Sequence, residues 1–147
     1  ILENVTPIHF LRNRLRLVRP AALQQKAAGP LDALKTKFQT IDHPINSLSG
    51  GNQQKVVIAR WLIDRPDVLL LDDPTKGIDL QAKSDLFALI RQLAAEGLGI
   101  VLYSSEDAEL LANADRILVF NSGSVTRELR GEDRTRYNLY HAAYEAA

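Results

Sequence analysis

The chain has 147 residues, 46% of them hydrophobic and 24% charged, with 18 basic and 18 acidic side chains. That is the make-up of one ordinary globular domain with room for a core. The absence of cysteine excludes disulfides and thiolate metal sites, and no apolar run approaches the ~20 residues that a membrane span needs. No secretory signal pattern is visible. The chain opens at Ile1 and holds no methionine, which suggests a piece of something longer.

The neutral total hides an uneven distribution. Residues 1–40 carry seven Lys/Arg against two acids, a net +5, so residues 41–147 carry −5. Basic flanks serve nucleic acid or membrane surfaces in some proteins. Here Arg12, Arg14, Arg16 and Arg19 alternate with Leu11, Leu15 and Leu17, and no aromatic ladder accompanies them. A solvated face is the favoured reading.

Residues 1–47 read as helical and irregular. Pro20 suits the first turn of a helix over 21–28, and Gly29-Pro30 is expected to interrupt it. Leu31–Phe38 is expected as a second helical piece. Asp42-His43-Pro44 is a turn. His9 and His141 have no partners at ligand spacing, so no metal site is read there.

Ser47–Lys55 reads S-L-S-G-G-N-Q-Q-K and runs straight into the apolar helical stretch Val56–Ile63. Ser49 suits an N-cap. Gly50 and Gly51 allow backbone N–H groups to approach a ligand closely. The helix dipole adds roughly half a positive charge there, and a phosphate is the natural guest. Taken alone, the segment reads equally well as a glycine turn that merely starts a helix.

After the loop Asp64–Asp67, the run Val68-Leu69-Leu70-Leu71 reads as a buried parallel strand. It ends in Asp72-Asp73-Pro74. Leu80–Glu96 is expected as a helix with Leu86, Leu89, Ile90 and Leu93 on one stripe, stopped by Gly97 and Gly99. Ile100–Tyr103 reads as a second buried strand, ending in Ser104-Ser105. A short helix over 107–112 and a third strand, Arg116–Phe120, follow. Asn121-Ser122-Gly123 signals a hairpin turn into Val125–Leu129. The tail from Asp133 is expected to be helical, with Tyr137, Tyr140 and Tyr144 packing on one face. Alternating strands and helices predict an α/β layer with a mainly parallel sheet, whose chemistry gathers at the carboxyl ends of strands.

Adjacent carboxylates at a strand end are costly unless neutralised. A Mg²⁺ ion carrying nucleotide phosphates would neutralise them, and the second carboxylate would then orient a water for attack on phosphorus. A plain surface turn is the competing reading of Asp72-Asp73-Pro74-Thr75.

Together, L-S-G-G-N-Q-Q-K and L-L-L-D-D-P-T-K-G-I-D one helix later resemble the ATP-binding cassette (ABC) ATPases. Leu48–Asn52 is similar to their signature motif, Val68–Asp73 to Walker B, and Gly77-Ile78-Asp79 to the D-loop. The Asn-Gln-Gln form resembles carbohydrate-uptake ATPases that carry two cassettes in one polypeptide. Ser104-Ser105-Glu106 is similar to the switch region of their second cassette. The resemblance implies a partial cassette: a helical signature subdomain over residues 1–63 and the C-terminal part of the RecA-like core over 64–147. It implies that Ser49, Gly50 and Gly51, with Asn52 in the same loop, meet the γ-phosphate of ATP held by the opposite cassette. Asp72 would serve the Mg²⁺ shell and Asp79 would communicate between cassettes. The implied partners are a second cassette, transmembrane permease subunits and, indirectly, a sugar-binding protein, with no nucleic acid. The implied location is cytoplasmic, peripheral on the inner face of the cell membrane.

Three departures qualify this. No G-x-x-x-x-G-K-[ST] is present, so the β- and γ-phosphates lack their lysine and backbone cradle. Asp73 stands where the family has its catalytic glutamate and is one methylene shorter; a shift of ~1 Å can cost roughly 10²-fold in rate. Ser105 stands where the family has its switch histidine and cannot carry a proton as histidine does. Both changes predict a weak or non-hydrolysing site. Two alternatives remain open at this point: a soluble ABC-type ATPase acting on nucleic acid or ribosomes, and a purely structural cassette.

Overall fold

A computed structural model describes residues 1–12 and 19–144. Arg14, Arg16, Leu15 and Leu17 of the basic stretch lie outside the described residues. The elements run α1 (Leu2–Val5), α2 (Pro7–Arg12), α3 (Pro20–Ala33), α4 (Gly50–Leu62), β1 (Val68–Asp72), α5 (Leu80–Ala95), β2 (Gly99–Tyr103), α6 (Asp107–Asn113), β3 (Arg116–Asn121), β4 (Ser124–Arg130) and α7 (Arg136–Tyr144). Two compact units result: Ile1–Leu69 with Pro74–Ile100, and Leu70–Asp73 with Val101–Ala147.

In the first unit, α1, α2 and α3 all pack on α4. Val5, Ala27, Leu31, Leu34, Val56 and Ala59 are almost fully buried. Arg60 of α4 donates its Nε to the Asn4 carbonyl at 2.5 Å, tying α4 to α1. Near the C-terminal end of α4, Asp64 accepts from Lys26 at 3.0 Å and stands 2.9 Å from Nδ1 of the buried His9. Burial pushes the Asp64 pKa up, but the hydrogen bonds and charge of Lys26 and His9 outweigh it and hold it below 3.8.

The break expected at Gly29-Pro30 does not occur: α3 is continuous to Ala33 with Pro30 inside it. Pro30 sits in the last turns, so its missing N–H removes one bond only, while Ala27 and Leu31 on either side are anchored in the core. The second helical piece is also absent. Thr36 N–H bonds the Leu31 carbonyl at 3.0 Å and Lys35 N–H bonds the Asp32 carbonyl at 2.9 Å. That is a Schellman stop, with Lys35 at φ 48° in the place usually taken by glycine.

Leu86, Phe87, Leu89, Ile90 and Leu93 of α5 are buried, the expected stripe enlarged by one aromatic. β1 and β2 pair. Gly99 N–H reaches the Asp67 carbonyl at 2.9 Å and Asp73 N–H the Tyr103 carbonyl at 3.0 Å. Both strands advance together between those bonds, so the pair is parallel. Neither strand is buried throughout. Leu69 and Leu71 are buried, whereas Leu70 is 75% exposed, and Val101 and Tyr103 are also exposed. One face of these strands is covered and the other is open, so the chain shows period-2 burial under an unbroken apolar sequence.

In the second unit, β3 pairs antiparallel with β4 rather than with β1 or β2. Ile117 faces Leu129 and Asn121 faces Ser124 across the ladder, with a bulge between Val119 and Phe120. The hairpin closes through Ser122 and Gly123, both at positive φ (48° and 80°), the geometry that matches strand twist. Ile117, Val119, Leu129, Leu139 and Ala142 form the core, with Leu110, Leu111 and Ala114 packed against it. The tyrosines of α7 are not part of it. Tyr137, Tyr140 and Tyr144 are 69%, 58% and 64% exposed, because Leu139 and Ala142 occupy the inward face of the helix.

Candidate functional site

The segment Ser49–Asn52 lies in the first unit and starts α4. Leu48 is held extended after the 3₁₀ turn Ile45–Ser47. Gln53 closes the turn twice: its backbone N–H bonds the Ser49 carbonyl at 2.9 Å, and its side-chain amide bonds the Leu48 carbonyl at 2.8 Å. Ser49 occupies the N-cap position with φ −62° and ψ 155°, yet its side chain accepts no backbone N–H. The expected capping bond is replaced by another: Asn52 Nδ2 donates to Ser49 Oγ at 3.0 Å. Asn52 Oδ1 in turn accepts from the Lys37 backbone N–H at 2.9 Å. The first turn of α4 carries no acidic residue. The positive end of the helix dipole is therefore uncompensated by its own side chains.

The two glycines have different reasons to be glycine. A Cβ on Gly51 would stand 2.8 Å from Ala82 Cβ. Close packing of α4 on α5 forbids it, independently of any ligand. A Cβ on Gly50 would meet nothing nearer than Ile78 Cγ2 at 3.9 Å, so the local packing leaves room for one there. Asp79, next to Ile78, caps α5 by accepting the Ala82 N–H at 2.9 Å. Ser49–Asn52 is thus packed beside the segment that carries Asp79.

The strand-end residues lie in the second unit. Asp72 is exposed at the end of β1. Asp73 follows with φ 42°, a left-handed conformation that Asp tolerates better than most residues. Its Oδ1 accepts the Ser105 backbone N–H at 2.6 Å. Ser105 is therefore held through its backbone, and its side chain is exposed. Its neighbour Ser104 is buried and donates to Glu109 Oε2 at 2.6 Å. Ser104 Oγ also accepts the Glu106 N–H at 3.0 Å. The segment 104–106 is fastened from both sides.

Of the residues singled out from sequence, Ser49, Gly50, Gly51 and Asn52 lie together in one loop, Asp79 lies beside that loop, and Asp73 and Ser105 are hydrogen-bonded to each other. Three contributors escaped sequence reasoning: Lys37, Ala82 and Glu109. Lys37 acts through its backbone and Ala82 through its size, neither of which carries a chemical signal. Glu109 sits on a short helix where an acid reads as solvated, and only the fold reveals that it is buried. Among the described residues no cluster of His, Cys, Asp or Glu has a metal-holding arrangement, and no helix is long and apolar enough to cross a membrane.

A glycine-opened helix packed beside the Asp79 cap of α5, and a parallel strand pair whose first strand ends in two carboxylates, are the parts of an α/β cassette. The family description "ABC transporter" matches residues 3–76. The ribose import ATP-binding protein RbsA 1 of Rhizobium etli is 50% identical over 110 residues, which is 75% of this chain and 22% of that protein. The xylose import ATP-binding protein XylG of Geobacillus kaustophilus is 42% identical over 97% of this chain and 29% of its own length. Among solved structures, the dimeric ATP-binding cassette MJ0796 bound to ADP and Pi in a post-hydrolysis state superposes with a TM-score of 0.70 at 28% identity, covering 88% of this chain and 55% of that one. This chain belongs to the ABC transporter family. It spans between about a fifth and a third of the length of these curated relatives, and is a partial cassette.

Proposed function

We propose that the chain is part of the ATP-binding component of an ABC-type sugar importer, and that it supplies the signature loop, Walker B strand and D-loop to composite ATP sites. The observation that carries this reading is the opening of α4, where Gly50, Gly51 and Asn52 present first-turn amides that the Ser49 side chain does not cap. The kinship to ribose and xylose import ATP-binding proteins supplies the transport class. On this reading Ser49, Gly50 and Gly51 donate hydrogen bonds to the γ-phosphate of ATP whose remaining phosphates are cradled by a second cassette. Asp79 spans the cassette interface while capping α5.

Asp72 would hold the Mg²⁺ ion. Its exposed carboxylate at a strand end fits a hard cation that keeps most of its waters. That ion would neutralise phosphate charge. Asp73 would face the attacking water, with its Oδ1 already engaged by Ser105 N–H. One acceptor position is thus occupied by the protein itself, which supports a slow or silent hydrolytic site. Residues 1–63 would form the signature subdomain facing permease subunits at the inner face of the cell membrane, and residues 64–147 the core piece. The exposed Leu70, Val101 and Tyr103 would be covered by more of the cassette. A sugar-binding protein would take part indirectly.

Calorimetric titration of Mg·ATP into the 147-residue chain tests the division of labour. No saturable heat is expected, because the sequence contains no phosphate cradle of the Walker A type. Binding at micromolar concentration would overturn it.

A further inference from the structure

We infer that Asn52 is a positioning residue: its side-chain amide holds the Ser49 hydroxyl away from the first turn of α4, keeping the backbone amides there and the Ser49 proton available to a phosphate. This deepens the proposed reading of the loop and rests on it.

The donor and acceptor inventory carries the argument. A serine at the N-cap position normally accepts the N–H of the second or third helical residue. In α4 those residues are Gly51 and Asn52, and Ser49 accepts neither. The hydroxyl oxygen instead accepts from Asn52 Nδ2 at 3.0 Å. The amide is oriented by its other end, because Oδ1 accepts the Lys37 backbone N–H at 2.9 Å. A carboxamide anchored in this way has only its nitrogen to offer Ser49. Ser49 is then an acceptor towards Asn52, and its own proton remains to be donated outward. The Gly51 and Asn52 amides, which an ordinary cap would have satisfied, are left at the positive end of the helix. Asn52 spends its Oδ1 and one of its two Nδ2 hydrogens on the protein, and its hold on Ser49 is a role separate from any contact with the phosphate.

The arrangement makes an unusual demand. Removing Asn52 would let Ser49 turn and cap α4. The helix would regain a cap while the Lys37 N–H lost its acceptor, so stability would change little while the anion site lost a donor.

The test uses ¹H–¹⁵N NMR of the 147-residue chain with inorganic phosphate as the probe. In the unmodified protein, phosphate is expected to move the Gly50 and Gly51 backbone amides and to leave the Asn52 side-chain amide pair much less affected. Asn52→Ala is expected to weaken phosphate binding roughly three- to tenfold, the loss of one hydrogen bond, with little change in the unfolding midpoint, since the regained Ser49 cap offsets the lost Lys37 N–H bond. In the Ser49→Ala background the same substitution is expected to add nothing. Hydrogen exchange at the residue 51 and 52 backbone amides is expected to slow by about fivefold in Asn52→Ala as Ser49 takes up the cap.

Asn52 side-chain resonances that move as far as those of the glycines would make Asn52 a direct ligand and overturn the inference. So would losses that multiply in the double variant, or a lowered unfolding midpoint with phosphate affinity intact. If phosphate moves no amide in the unmodified protein, the reading of the loop as a phosphate site fails. The exchange rates then still decide whether Asn52 holds Ser49 off the cap: unchanged rates in Asn52→Ala contradict it.

Discussion

The loop that opens α4 and the segment that follows β2 use the same residue types to opposite ends. At Ser49–Asn52 the serine accepts from the Asn52 amide and leaves the first-turn amides of α4 without a side-chain cap. At Ser104–Glu106 two serines and the carboxyl groups of Asp73 and Glu109 satisfy one another. The first leaves helix amides uncapped by its serine; the second is closed and fixes a conformation. A serine at a helix opening or a strand end reveals its role through its hydrogen-bond partners, not through its presence. Ser49 and Ser104 both accept an N–H, but the proton of Ser104 is taken by a buried carboxyl group.

Substitutions that disturb the closed segment should cost stability, and those in the open loop should cost binding. The largest stability effect is expected at Ser104. Ser104→Ala removes the donor from the buried Glu109 carboxyl group and should destabilise by about 2 kcal/mol, read by urea unfolding. A loss below ~0.5 kcal/mol would mean that the segment is not closed in the way described. Gly51→Ala comes next. Its Cβ meets Ala82 Cβ at 2.8 Å, and the overlap should exceed the gain in helix propensity, leaving a net loss of about 1 kcal/mol. Adding Ala82→Gly should recover most of the packing strain, with fluorescence of the single tryptophan, Trp61 on α4, as the probe. Gly50→Ala should unfold like the unmodified protein, since its Cβ has room. Equal damage at both glycines would remove the distinction between packing and ligand access.

Asp79→Ala should cost about 1 kcal/mol through loss of the α5 cap, and Asp79→Ser should restore most of it. If the conservative variant restores stability but not ATP-dependent pairing with a second cassette, Asp79 has a role beyond the cap. The smallest effect is expected in acid, at the other end of α4. The Asp64 pKa is lowered in the folded state. Its contribution to stability is therefore full above about pH 4 and fades as pH falls through the folded value. Asp64→Asn should flatten the acid limb of a pH–stability curve; an unchanged limb would place the acid sensitivity elsewhere.

Much of this was legible in sequence where chemistry and period agree. The buried stripe of α5, the Ser122-Gly123 hairpin and the glycine-opened α4 all follow from spacing and turn residues. The misreadings share a cause. Pro30 and the left-handed Lys35 yield to tertiary anchoring by Leu31 and Leu34, which no local signal reports. The β1 run reads as buried because its residues are apolar, but burial depends on what covers each face. Ser49 has the residue type of a cap and the backbone of a cap. Only the position of the Asn52 amide shows that it does not cap.

The most direct test of the central claim is ATP-dependent association of the labelled 147-residue chain with a separate ABC cassette that carries a Walker A motif, followed by fluorescence anisotropy. Association is expected to require ATP, to be absent with ADP, and to be weakened by Ser49→Ala with the fold intact. Association indifferent to nucleotide, or unaffected by Ser49→Ala, would contradict the claim that this chain contributes the signature half of a composite site.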